Sequence, residues 1–151
     1  MLRLSKKADY ALMAMKHLAL RGDRGSSSAR EIAALYDIPI ELMAKVLQRL
    51  VRRGLLSSHQ GTRGGYELAR RPTQISVADV IQAIDGPVTV TACSPEENQC
   101  EQFAKCNVRD PLWKVRERIL SALGECTIAE LAADSAPVPA ATRPAVFHTH
   151  Q

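Results

Sequence analysis

The chain has 151 residues, 46% of them hydrophobic and 24% charged, with a net charge of +4 and a sequence pI near 9.0. These are ordinary globular values for one compact domain, or one domain with a small appendage, and no run approaches the ~20 apolar residues that span a bilayer. The charge is uneven: residues 1–75 carry 14 Lys and Arg against 6 Asp and Glu, a net +8, whereas residues 76–151 carry 6 against 10, a net −4. A basic half joined to an acidic half suits an N-terminal surface that meets a polyanion.

Arg3, Lys6 and Lys7 precede an apolar run and could mimic a secretory signal, but Asp9, Lys16 and His17 interrupt it and no small-residue cleavage site follows. The expectation is a reducing, cytoplasmic setting with available thiols. Ser5 suits an N-cap for a first helix over 6–21, whose Ala8, Ala11, Leu12, Met15, Leu18 and Ala19 keep helical spacing. After a loop at Gly22–Ser27, Ser28 with Glu31 three residues on predicts a capping box and a short helix over 29–36, containing Ile32, Ala33, Leu35 and Tyr36. Asp37-Ile38-Pro39 turns the chain into a third helix over 40–53. Its Ile40, Met43, Val46, Leu47, Leu50 and Val51 form a stripe expected to be buried, and Glu41, Ala44, Lys45, Gln48, Arg49 and Arg52 lie opposite.

Two helices joined by a short turn, the second with a cationic outer face, is the helix-turn-helix layout. Leu55–Ser58 reads as a strand, His59–Gly65 as a glycine-rich turn, and Tyr66–Ala69 as the returning strand, a hairpin that makes a wing with Arg63 at its tip. The loop leads into a strand and lacks a Gly-Lys-Ser/Thr motif, which excludes a nucleotide phosphate loop. A helix over 76–84 follows, capped by Ser76 with Asp79. Beyond a segment spanning 88–108, a long helix over 109–123 places Leu112, Val115, Ile119 and Leu123 on one face, a stripe suited to a dimer interface. Thr127 caps a short last helix over 128–132, and the Ala-, Pro- and Thr-rich tail from Ser135 to Gln151 should be disordered.

The segment before the long helix holds Cys93, Cys100 and Cys106, spaced by six and five intervening residues. Structural zinc prefers closer pairs, a disulfide suits a reducing compartment poorly, and the four histidines lie far off in sequence for thiol catalysis. Open loop spacing fits an iron–sulfur cluster best, since its thiolates surround a body larger than one ion. Cys126 stands apart and reads as a small buried hydrophobe. Three thiolates leave one position open, for Asp110, another carboxylate or solvent. Asp9 sits on the outward side of the first helix with Met13 and Lys16, where an acid also simply favours the helix dipole.

At these residues the chain resembles the IscR/NsrR-type iron–sulfur transcriptional regulators of the Rrf family, including relatives that control SUF cluster-assembly genes. The likeness spans about residues 1–133 and rests on Leu2-Arg3-Leu4-Ser5 through Asp9-Tyr10-Ala11, Leu47-x-Arg49-Leu50-x₃-Gly54-Leu55, the wing Gly61-x₂-Gly64-Gly65-Tyr66, and the three cysteines followed by Leu112-Trp113. It implies a mainly α fold: a winged helix-turn-helix over 1–75, a cluster-binding loop and dimerisation helices over 76–133, and a tail over 134–151. It implies a non-enzymatic repressor or activator, homodimeric through the helix 109–123, that binds a pseudo-palindromic operator in double-stranded DNA and senses iron, oxidants or nitric oxide through its cluster.

On matching positions Cys93, Cys100 and Cys106 would ligate the cluster, while Glu41, Ala44, Lys45 and Gln48 would face the major groove. Ser28, Arg49 and Arg52 would join them, and Gln60, Thr62 and Arg63 would serve from the wing. IscR-type members carry a histidine shortly after the third cysteine, which Asn107-Val108-Arg109-Asp110 lacks; NsrR-type members use an aspartate of the partner's first helix, the place of Asp9. The gap leaves nuclearity open, with a [2Fe–2S] cluster expected and [4Fe–4S] the alternative. Ala44 replaces the acidic residue of IscR-type recognition helices, so operator preference does not carry over. The competing readings are a small iron–sulfur or zinc redox protein with an incidental basic half, and a winged helix with a structural zinc.

Overall fold

The computed structural model describes residues 3–62, 64–89 and 100–134. Helix α1 (Lys6–Arg21) starts where the Ser5 hydroxyl accepts the Ala8 N–H at 3.0 Å and turns three alanines, Ala8, Ala11 and Ala14, together with Met15 and Leu18, into the interior. Small side chains let neighbouring helices approach closely, and α1 packs against α3 (Ile40–Arg52), α4 (Val77–Asp85) and α6 (Ile128–Ala133). Met15, Ile32, Met43, Leu47, Leu50, Val80 and Ile128 are fully buried around it. Withdrawing each such side chain from water contributes about 1.5–3 kcal/mol. The fold is therefore mainly helical with a two-stranded wing, as the sequence predicts.

Helix α2 (Ala29–Leu35) is capped by Ser28, whose hydroxyl accepts the Glu31 N–H at 3.1 Å. The full reciprocal capping box forms at α4, between Ser76 and Asp79. An expected core position is corrected: Ile40 is 42% exposed. The turn residue Ile38 takes the buried place instead, drawn under α2 by its N–H bond to the Ala33 carbonyl at 3.0 Å, so the next apolar residue faces outward.

The wing pairs β1 (Leu56–His59) antiparallel with β2 (Gly65–Leu68), one residue off each predicted strand. The segments before α4 and α6 are stitched together by Val77 N–H to Cys126 O at 2.8 Å and Ile128 N–H to Ile75 O at 2.9 Å. Cys126 itself is half-buried rather than buried. Partial burial, with Glu130 and Asp134 nearby, pushes its thiol pKa up. Helix α5 (Arg109–Glu125) runs two residues past its predicted end and has no fully buried residue. Among the described residues no helix is long and apolar enough to cross a membrane. The expected tail over 135–151 lies outside the described residues.

The wing packs on α1 and α3 and is hydrogen-bonded to the segment before α2. Ser27 and Tyr66 exchange two backbone hydrogen bonds, 3.0 and 2.8 Å, and a Cβ on Gly65 would lie 2.6 Å from the Ser27 carbonyl carbon and oxygen. We expect Gly65→Ala to break this docking and lower stability by about 1–3 kcal/mol, measured by urea unfolding. A variant as stable as the parent would show that the wing is not seated this way.

Candidate nucleic-acid interface and cysteine segment

The outer ridge of α3 carries exposed Glu41, Lys45, Gln48, Arg49 and Arg52, with Ala44 half-buried beside them. A groove of about 640 Å³ runs along one flank, between this ridge, the start of α2 and the wing. Ser28, Gln48, Arg52 and Gln60 line it, so four of the expected DNA-facing residues converge there. Thr62 is exposed at the wing tip, and Arg63 lies outside the described residues. The tip is a tight turn closed by Gly64 N–H to Gly61 O at 2.9 Å, and a Cβ on Gly64 would lie 2.5 Å from the His59 carbonyl oxygen. Backbone alone fits there.

A smaller groove of about 230 Å³ runs along the other flank, lined by Lys7, Lys45, Arg49 and Arg52. Lys7 escaped the sequence reading because it belongs to α1; only packing brings it beside α3. A helix flanked by two grooves, both reached by cationic side chains, matches a rod lying in a major groove with a phosphate backbone on either side. Arg49 is partly committed elsewhere, its Nε donating to the Ala83 carbonyl at 3.0 Å.

Behind this surface sits a polar cluster that periodicity could not reveal. His17 on α1 places Nε2 3.3 Å from the Ser27 hydroxyl and Nδ1 3.3 Å from the Tyr36 hydroxyl, with its ring edge-on to Tyr36 at 5.8 Å. Ser27 is fully buried, so this imidazole satisfies a hydroxyl that would otherwise be left dry. Burial, and secondarily Arg21, lower the His17 pKa below its usual value of 6.5.

In the cysteine segment Cys100 is exposed and Cys106 half-buried, both free thiols; Cys93 lies outside the described residues. Among the described residues no three His, Cys, Asp or Glu side chains converge to hold a metal ion. Arg109 pins the segment to α5: Nη1 donates to the Phe103 carbonyl at 2.8 Å, and the guanidinium carbon lies 4.3 Å from the Phe103 ring centroid and 5.5 Å from that of Trp113. Its Nε donates to Asp110 at 3.0 Å. Asp110 thus already has a partner, whereas the half-buried Asp9 carboxylate has no ion pair among the described residues.

A sequence model of the Rrf2 family, described as iron-dependent transcriptional regulators, matches residues 4–134. The chain belongs to the Rrf2 family. It is similar to the helix-turn-helix-type transcriptional regulator IscR of Xenorhabdus nematophila, 36% identical over 131 residues that cover 86% of this chain and 79% of that one. Among solved structures it is similar to CymR, the global cysteine regulator of B. subtilis, with a TM-score of 0.76 and 28% identity over 90% of this chain and 100% of that one. IscR of T. potens matches with a TM-score of 0.69 and 28% identity over 88% of each chain. This Rrf2-family chain is therefore a DNA-binding transcriptional regulator of the IscR type and not an enzyme. The redox-protein reading falls with that assignment.

Because the folded His17 pKa lies below the unfolded value, its neutral burial contributes stability that is complete above pH 6.5 and lost as pH falls through the folded pKa. We expect the unfolding temperature to drop between about pH 7.5 and 5, and to drop less in His17→Gln, since histidine titrates in that window. Equal drops would remove His17 from the account.

Proposed function

We propose that this Rrf2-family regulator is a cytoplasmic homodimer that senses an iron–sulfur cluster and controls genes such as those for cluster assembly, as repressor or activator. Residues 1–75 would read DNA and residues 76–133 would sense and dimerise. The observation that carries the reading is the position of Cys100 and Cys106: both are free thiols on a segment clamped by Arg109 to the start of α5. The donor set fits such a cluster in kind, since soft thiolates suit iron and a carboxylate completes a labile site. Cys93, Cys100, Cys106 and Asp9, the last from a partner copy, would hold it, with [2Fe–2S] the expected form. When bound, the cluster supplies a redox- and nitric-oxide-sensitive body whose state the thiolates register.

The rest belongs to the chain. Helix α5 leaves Leu112 41% and Val115 45% exposed on one face, an apolar stripe on a helix with no buried residue, which a second copy would cover. A twofold dimer sets two α3 ridges at a fixed spacing, the requirement for a pseudo-palindromic operator. Glu41, Ala44, Lys45 and Gln48 would lie over base edges. Lys7, Ser28, Arg52, Gln60, Thr62 and Arg63 would meet the backbone or the adjacent groove.

Anaerobically purified protein should show the visible absorbance of an iron–sulfur cluster, lost in Cys100→Ser and Cys106→Ser. Asp9→Ala should change the spectrum and Asp110→Ala leave it as it is. Binding to an operator duplex should weaken steeply with salt, since each phosphate contact adds about 0.9 to the log–log slope. A colourless protein retaining stoichiometric zinc would refute the cluster, and the reverse pattern in the two aspartates would reassign the fourth ligand.

A further inference from the structure

Helix α4 ends with an imperfect backbone. The Gly86 N–H bonds to the Gln82 carbonyl at 3.0 Å, and the next donor in the series would come from residue 87. Residue 87 is proline, which has no N–H, so the Ala83 carbonyl is left without an intrahelical partner. Ala83 is 4% exposed, where an unmet carbonyl is costly. The missing donor comes from another helix: Arg49 Nε, from the middle of α3, meets that carbonyl at 3.0 Å. A guanidinium at this place also opposes the negative end of the α4 dipole.

The same short stretch is a junction. The Ser5 hydroxyl, the N-cap of α1, donates to Asp85 Oδ1 at 2.6 Å. The chain leaves α4 here, through Gly86, Pro87 and Val88, toward the cysteines. Arg49, between Gln48 and Arg52, ties this last turn to α3.

We infer that Arg49 is a positioning residue rather than a reader of DNA: it latches the recognition helix to the end of α4 and couples the cysteine segment to DNA affinity. The latch follows from the Pro87 gap, and the coupling rests on the cluster reading given above. With Nε turned inward, the side-on edge of the guanidinium is taken and only its Nη groups remain to meet a phosphate.

The test uses the full chain and an operator duplex recovered from genomic DNA with the parent protein. Affinity is measured against salt for cluster-loaded and cluster-free protein. In Arg49→Ala we expect an unchanged log–log salt slope and a ratio of loaded to cluster-free affinity that falls toward one. Adding Pro87→Ala, which restores a backbone N–H for the Ala83 carbonyl, should recover the unfolding temperature of Arg49→Ala without recovering the ratio. Should Arg49→Ala fold poorly, Arg49→Lys keeps the charge but not the planar Nε–H, and the same fall in ratio is expected. A slope reduced by about one with the ratio intact would make Arg49 a phosphate contact and overturn the proposal. A retained ratio in Arg49→Lys would overturn it as well. A parent protein that never acquires visible absorbance defeats the cluster reading instead, and the salt slope then decides the place of Arg49 by itself.

Discussion

The whole arrangement depends on how closely other helices can approach α1. Ala8, Ala11 and Ala14 present almost no bulk along one side, and all three are fully buried. This lets α3, α4 and α6 share one central strut. A larger residue at any of the three would push one neighbour outward, and interiors packed at crystal density have little slack to absorb that. Helices α3, α4 and α6 thus lean on the same helix, and α5 joins them through α4.

That shared support explains why so many cross-element polar contacts gather at helix ends. Ser5 meets Asp85, Arg49 meets the Ala83 carbonyl, and Ile75 and Val77 pair with the chain around Cys126. Each satisfies a backbone or capping group that its own element leaves unmatched. The wing is held by the same logic, through the paired backbone of Ser27 and Tyr66 and the imidazole that meets the Ser27 hydroxyl. Few of these bonds are strong singly, since a hydrogen bond contributes about 0.5–1.5 kcal/mol net. Together they fix angles between elements, which apolar packing alone leaves loose.

Much of this was legible beforehand. Helical spacing gave the main helices, three capping serines and Thr127 marked four helix starts, and the glycines between two short strands marked the wing. The outer face of α3 was visible as a charged stripe because most of it is exposed. What could not be read was anything that joins residues distant in sequence. Lys7 comes beside the charged ridge of α3 only because α1 packs on α3, and the His17, Ser27 and Tyr36 cluster joins residues distant in sequence. Ile40 fitted the apolar period yet faces out, since periodicity cannot tell which of two isoleucines flanking Pro39 the core will take. Cys93 and Arg63 lie outside the described residues, so the sequence spacing alone speaks for them.

Trp113 is the one tryptophan in the chain, and it sits where the Arg109 guanidinium and the Phe103 ring meet the start of α5. Its indole N–H is buried without a hydrogen-bond partner among the described residues. Indole emission from this protein therefore originates at a single point beside the cysteine segment. The molecule carries its own optical gauge of that segment, readable without a label.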